Sequence, residues 1–264
     1  MITSAGNDLI KMASSLHHKK GRLEQNLYLA EGIHLVQEAV RAGVQIHRYF
    51  WCSKLTSTSE GQLLLKILQA RHEGHEVSEV VFAKISETEN PQGILAAITI
   101  PDNPGLDFTN IRLGLIIDGL QDPGNVGTII RTAWAGGLDG LIFTPQTADP
   151  YQGKVVRASM GGVFSQKIYR NVTPQIIVEE ARRAKVQIVA GAPAAKQNIF
   201  EVNLVPPTVF LVGNEGQGIN SIWEDFSLQW VKIPQPGRAE SLNVAVAAGI
   251  LTYEAVRQRL QAKY

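Results

Sequence analysis

The chain is poor in the residues that most often carry chemistry. It has one cysteine, Cys52, so no intrachain disulfide can form, and a reducing compartment fits. Its six histidines (His17, His18, His34, His47, His72 and His75) and that cysteine all precede residue 80. The remaining two-thirds therefore cannot build a Ser-His-Asp triad, a Cys-His pair or a His/Cys metal site. If that part is catalytic, it works with Arg, Lys, Glu, Ser, Asn and backbone groups. An excess of charge of either sign is also lacking. The formal net charge is +1, which excludes a global field that would announce a nucleic-acid binder; any basic surface must be local. No apolar run approaches the roughly 18 residues that span a bilayer. Asn7, Asp8 and Lys11 interrupt the first apolar residues, against a secretory signal. These absences point to a cytoplasmic protein with no membrane partner and no metal.

What is present suits a globular chain. Its 264 residues are 44% hydrophobic and 19% charged, enough for one large domain or two ordinary ones. The stretch IPDNPGLDFTN, Ile100 to Asn110, reads as a linker. Before it, NDLIKMASSLH and LAEGIHLVQEAVRAG predict helices; in the second, Leu29, Ile33, Val36 and Val40 share a face and Gly43 is the stop. HRYFWCS, VSEVVFAKI and GILAAITI predict strands. Residues 1–102 thus form a small α/β domain. From 108 to 264 the rhythm is strand, glycine-rich turn, helix: RLGLIID, LDGLIFT, VQIVAGA, TVFLVGN and LQWVKIP alternate with segments such as TIIRTAWAGG and TPQIIVEEARRAK. Continuous Val/Ile/Leu strands between helices predict an α/β fold with a parallel sheet covered on both faces, and ligands bind such sheets at the strands' carboxyl ends.

Three loops stand at those ends. In VGNEGQGI, Gly213, Gly216 and Gly218 follow a strand, but the spacing G-x-x-G-x-G is not the dinucleotide fingerprint, and no phosphate loop is present. In DGLQDPGNVGTIIRTAWAGG, Pro123-Gly124 makes the turn and Asn125 caps or lines it. Arg131 follows on an apolar helix, within reach of the same end. It either snorkels to pair a carboxylate or presents its guanidinium fork to a phosphate or ribose. In IPQPGRAESLNVAVAAGILTYEA, Ser241 is placed as an N-cap with a helix from Leu242. The capping box fails because Val244, not Glu or Gln, stands three residues on. Capping leaves Glu240 and Asn243 over. Ala245, Ala248, Gly249 and Thr252 make a small-residue stripe for close packing against the sheet or a second subunit.

Together these loops resemble the SpoU (TrmH) family of RNA ribose 2′-O-methyltransferases in the SPOUT superfamily. Asn125-Val126-Gly127 through Arg131 matches the first motif, Phe210 to Gly218 the second, and Ile233-Pro234, Gly237, Ser241-Leu242-Asn243-Val244 and Ala247 the third. The likeness extends forward to Lys19, Lys20, Arg22, Ala30-Glu31-Gly32 and Pro91-Gln92-Gly93, which look like a ribosomal-protein-like substrate-binding domain, and to YQGKVVRASMGGVF. The resemblance implies a knotted parallel-sheet methyltransferase domain, S-adenosyl-L-methionine as cofactor and a homodimer. It implies that Gly213, Asn214, Glu215, Gly218, Ile233 and Leu242 hold the cofactor, and that Asn125, Arg131, Ser241 and Asn243 form the reaction centre. Phosphate contacts are expected from two small basic clusters, Lys19, Lys20 and Arg22, and Lys154 and Arg157 with Lys167. Ribosomal RNA is favoured over transfer RNA as substrate, because of the additional amino-terminal domain. The rival readings are a tRNA ribose methyltransferase, a base methyltransferase of another SPOUT branch, a non-catalytic RNA-binding protein retaining the fold, and, disfavoured by the glycine spacing, a nicotinamide oxidoreductase.

Overall fold

The computed structural model describes residues 1–262. Up to the Pro-rich linker the order is α1 (Asp8–Ser15), α2 (Lys19–Gln25), β1 (Leu27–Glu31), α3 (Ile33–Arg41), β2 (Ile46–Trp51), α4 (Ser59–Gln69), β3 (Gly74–Glu76), α5 (Glu79–Ile85) and β4 (Ile94–Thr99). Beyond it come β5 (Leu113–Ile117), α6 (Pro123–Ala135), β6 (Gly140–Phe143), α7 (Gly153–Ala158), α8 (Gly162–Ser165), β7 (Ile168–Tyr169), α9 (Pro174–Ala184), β8 (Gln187–Gly191), β9 (Gln197–Asn198), β10 (Thr208–Val212), β11 (Gln229–Lys232) and α10 (Val244–Gln261). Contacts group these into two units. Met1–Asp102 joins with Asp149–Phe164, and Asn103–Ala148 joins with everything from Ser165. Two contiguous domains, 1–102 and 108–264, contain no such excursion.

In the first unit the sheet runs β1-β4-β2-β3, antiparallel at the first two junctions and parallel at the last. Ile10, Leu16, Phe50, Phe82 and Leu95 fill its core. Two sequence readings fail here. VSEVVFAKI is helix rather than strand: Ser78 caps it by accepting the Val81 N–H, and Val81, Phe82 and Ile85 are buried while Val80 is exposed. That burial has the period of a helix face, not of a strand. LAEGIHLVQEAVRAG is not one helix either. Leu29 lies in β1 opposite Ala97, and Gly32, at φ 100°, turns the chain before α3 begins.

In the second unit seven strands run parallel in the order β7-β6-β5-β10-β8-β11-β9. β5, β6 and β10 are buried along their whole length, which is why their sequences read as unbroken apolar runs. Ile116, Ile142, Ala190 and Leu211 share a core with Ile177 and Ala181 of α9 and with Trp223. α10 packs on α6 and on β10. The linker residues Leu106 and Phe108 are buried in this same core. Because every strand points the same way, all their carboxyl ends share one edge. The strand order reverses between β5 and β10, the place where ligands bind in open α/β sheets.

Charge pairs hold the Asp149–Phe164 segment within the first unit. Arg22, 3% exposed, donates from Nε and Nη2 to Asp149 (3.0 and 2.7 Å) and from Nη1 to the Leu16 and His17 carbonyls (both 3.0 Å). A guanidinium so enclosed is structural, which removes Arg22 from the expected RNA contacts. Breaking a buried pair of this kind costs about 3–5 kcal/mol. Arg157 is likewise engaged, donating to Glu87 at 2.7 Å, while His17 bonds the other carboxylate oxygen at 2.9 Å. Lys167, expected beside Lys154 and Arg157, belongs to the other unit, its ammonium 5.0 Å from the Tyr169 ring centre. The His17 bond first, and Arg157 with it, pull the Glu87 carboxyl down from 4.5 to about 2, against partial burial. A depressed carboxyl stabilises the fold above its unfolded pKa and loses that contribution as pH falls through its folded pKa. Glu87→Gln is therefore less stable than wild type at neutral pH, and the gap closes between pH 4.5 and about 2. Thermal unfolding of both across that range checks it; a gap independent of pH would refute the ionic role.

Candidate functional site

At the carboxyl ends of β8, β10 and β11 lies a cleft of about 140 Å³. Gly191, Ala192 and Pro193 border it after β8, Gly213, Asn214, Glu215 and Gly218 after β10, and Ile233 and Gln235 after β11. Ser241, Leu242, Val244, Ala247 and Leu251 close it from the start of α10. The glycine loop is shaped by close approach. A Cβ at Gly213 would sit 2.3 Å from the Gly218 carbonyl oxygen, and Gly218 itself has φ 73°. The backbones of Asn214 and Gly218 exchange two 2.8 Å hydrogen bonds. The Asn214 amide donates to the Gly119 carbonyl (3.1 Å) and its oxygen accepts the Gly216 N–H (2.9 Å), which ties the end of β10 to the end of β5.

A polar cluster stands beside the cleft. Asp122 caps α6 by accepting the Asn125 N–H at 2.8 Å, with Pro123 in the first turn where its missing N–H costs nothing. Asn125 is thereby set in the first turn of α6, where its amide donates to Glu215. Asn243 donates to Asn125 at 3.0 Å and to Glu215 at 3.5 Å. The side-chain oxygen of Asn243 also accepts from Ala245 N (2.9 Å) and Val246 N (3.3 Å). It is the cap of α10, not Ser241, and the helix starts at Val244, not Leu242. The residue that capping had left over is the cap, because the non-helical backbone of Asn243 (φ −53°, ψ 137°) ends the loop two residues later than expected.

The structure brings six of the expected cofactor residues (Gly213, Asn214, Glu215, Gly218, Ile233, Leu242) and Ser241 into one cleft, and Asn125 and Asn243 into the adjoining cluster. Arg131 is not part of this network. It is exposed, and its side chain makes no hydrogen bond or ion pair with a described residue. Six residues advance about 9 Å along a helix and turn it well away from a shared face, so the placement with Asn125 on one side does not hold. Glu240 is exposed and borders neither feature. Sequence reasoning missed Gly191 to Pro193 and Gln235. The Gly-Ala-Pro that follows a buried strand was the available signal for the first; nothing marked the second.

The walls are apolar with a few convergent polar groups, the usual character of a small-molecule site. Gln235 Oε1 is buried with no hydrogen-bond partner among the described residues, and no backbone N–H from Gln235 to Asn243 donates to one. Fold and site define the class: a doubly wound parallel-sheet protein with a ligand cleft at the strand carboxyl ends, next to a neutral-amide and carboxylate cluster, preceded by a separate α/β unit.

Comparison with known proteins narrows that class. The model of the SpoU rRNA methylase family matches residues 112–253, and that of the MRM3-like substrate-binding domain matches residues 7–96. A protein of Synechocystis sp. described as an uncharacterized tRNA/rRNA methyltransferase is 36% identical, over 98% of this chain and 94% of its own. The 23S rRNA (guanosine(2553)-2′-O)-methyltransferase RlmP of Bacillus subtilis is 34% identical, over 96% of this chain and 97% of its own. The crystal structure of an AdoMet-bound rRNA methyltransferase from Sinorhizobium meliloti superposes with a TM-score of 0.85 at 34% identity, covering 97% of each chain. The chain belongs to the SpoU rRNA methylase family.

The double role of Asn243 is separable. Asn243→Ala removes the cap and lowers the unfolding free energy by about 1 kcal/mol, whereas Asn243→Ser, a good cap without the amide, recovers most of it. Urea unfolding of the two variants measures this; equal losses would show that capping is not what Asn243 contributes.

Proposed function

We infer that the chain transfers a methyl group from S-adenosyl-L-methionine to a ribose 2′-hydroxyl of ribosomal RNA. The observation that carries this is the joining of the β8–β10–β11 cleft to the Asn125–Glu215–Asn243 cluster, in a chain of the SpoU family. The cleft suits the cofactor. Ile233 and Leu242 offer apolar walls for a purine, the undonated N–H groups from Gln235 to Asn243 offer donors, and Gln235 Oε1 offers a buried acceptor for an amino group. Gly213, Asn214, Glu215 and Gly218 would hold the rest. When bound, the cofactor supplies a methyl group already activated on a sulfonium.

The protein's work is then alignment and proton removal. A ribose hydroxyl is a weak nucleophile, and holding it in place can supply several kcal/mol of the barrier. Asn125, Ser241 and Asn243 orient the hydroxyl. The guanidinium of Arg131 stays protonated in proteins, so it does not serve as a simple base. Exposed and outside the Asn125–Glu215–Asn243 network, it binds the adjacent RNA phosphate through its fork, and the proton leaves to that phosphate or to water.

Ribosomal RNA is favoured because full-length relatives are named for it. The 23S rRNA (uridine(2479)-2′-O)-methyltransferase of Streptomyces viridochromogenes is 31% identical over 99% of this chain. A solved enzyme described as acting on C/U34 of tRNA covers 56% of it. The reading assigns RNA binding to residues 1–102 and methyl transfer to 108–264, whose carboxyl-terminal segment is knotted as in the family. Exposed Lys19 and Lys20 on α2 and Lys154 on α7 supply phosphate contacts, with Arg157 contributing what its pairing with Glu87 leaves open. The location is the cytoplasm; among the described residues no helix is long and apolar enough to cross a membrane.

A homodimer belongs to the same reading. Val246, Tyr253 and Leu260, 50–55% exposed, recur every seven residues along α10, and Trp134 is exposed on α6. A second copy of the chain packed along this stripe would cover it.

The deciding measurement is transfer from labelled S-adenosylmethionine to unmethylated 23S rRNA transcript, followed by mapping of the modified ribose. Wild type gives one 2′-O-methyl site; no transfer, or a methylated base, overturns the reading. Arg131→Lys keeps the charge but loses the fork, so turnover falls by about 100-fold or more while cofactor affinity in calorimetry changes little. Near-normal turnover would remove Arg131 from the reaction. Light scattering tests the dimer: Tyr253→Glu gives a monomer where wild type gives twice that mass, and an unchanged mass refutes the stripe as interface.

A further inference from the structure

A second cavity opens at the same edge of the sheet. It lies over the ends of β5, β6 and β10, has a volume of about 200 Å³, and shares Asn214 and Gly218 with the cofactor cleft as a common wall. It is thus at the strand-order reversal between β5 and β10, while the cofactor cleft lies one loop away.

Its chemistry is unlike that of its neighbour. No Lys or Arg borders it, and its one carboxylate, Asp118, is buried and occupied, accepting from the Thr144 hydroxyl at 2.8 Å and Asn220 N at 3.1 Å. The mouth carries four exposed amides; Asn220 accepts the Ile222 N–H at 3.0 Å, whereas Gln121, Gln146 and Gln217 bond no described residue through their side chains. A primary amide offers two donors and an acceptor in one plane, which matches the adjacent donors and acceptors on the edge of a nucleobase and not a phosphate or a metal. The backbone around it turns through the left-handed region at three points: Gly119, Gln146 and Gly218 have φ of 63°, 71° and 73°. For Gln146 the left-handed region is a real penalty, and such residues gather where a ligand is clamped. The Gly119 turn is retained by two hydroxyls, Thr144 and Thr147, each accepting its N–H at 3.1 Å.

We propose that this cavity receives the base of the nucleotide whose ribose is methylated, and that Gln121, Gln146 and Gln217 read its edge. The proposal rests on the methyl-transfer reading: a base seated here and a cofactor across the Asn214–Gly218 wall leave the ribose between them, beside Asn125 and Asn243. It accounts for how an enzyme with few cations around its cleft selects one nucleotide after the backbone has been bound elsewhere.

The test uses the full-length protein and an unmethylated 23S rRNA transcript. Once the modified position is mapped, three further transcripts carry the other nucleotides there. Wild type prefers one base. The variant Gln121→Ala/Gln146→Gly/Gln217→Ala, with glycine at 146 to keep the positive φ, loses about tenfold or more in kcat/KM on the preferred transcript and discriminates the four within about twofold. Its Tm, and its cofactor Kd by calorimetry, stay close to wild type. Unchanged discrimination in the variant, or a wild type indifferent to the base, overturns the proposal. So does a parallel loss of cofactor affinity, which would make the cavity an extension of the cofactor cleft. A wild type that transfers no methyl overturns the functional reading and this one with it.

Discussion

The amide of Asn243 does three things at once, and the site depends on their agreement. Its oxygen ends the Pro- and Gly-rich loop by capping α10, and its nitrogen reaches Asn125, 118 residues earlier, and Glu215, 28 residues earlier. Helix start, β5–α6 turn and β10 loop are therefore held by one planar group. A hydroxyl could cap, and a carboxylate could cap, but only an amide also donates to an amide oxygen and a carboxylate. This is why a weak helix former stands there and why the loop before it can present its peptide groups to a ligand.

That clasp works because the sheet is parallel. Parallel strands bring every carboxyl end to one edge, so the loops after β5, β6, β8, β10 and β11 meet although they are scattered over more than 100 residues. Asn214 exploits the geometry directly. By bonding the Gly119 carbonyl it makes the β10 loop a partition, with an apolar cleft on one side and an amide-rimmed cavity on the other. An apolar wall and peptide groups suit a cofactor whose identity does not vary; rotatable amides suit the recognition of an edge.

Charge is used sparingly and locally. In the first unit Arg22 and Glu87 are committed to fixing the Asp149–Phe164 segment, while Lys19, Lys20 and Lys154 are exposed. A chain with net charge +1 gains little from long-range attraction, so any basic surface it presents is local.

The class of fold, the parallel sheet and the three loops at its edge were legible in the residues alone. Buried strands must be apolar throughout, and close backbone approach demands glycine, as Gly213 does beneath the Gly218 carbonyl. Short-range chemistry of that kind is written in the local sequence. What local sequence could not contain is which partner each polar side chain finds. Ser241 and Asn243 are both acceptable caps by residue type, and it is Asn243 that caps α10 while bonding Asn125 and Glu215 far away in sequence. Arg22 looks like its lysine neighbours until the chain returns 127 residues later with Asp149. VSEVVFAKI serves as strand or helix, and the burial of Val81, Phe82 and Ile85 together decides for helix. In each case the free energy that chooses belongs to a contact between segments distant in sequence, and that contact exists only once the chain has folded.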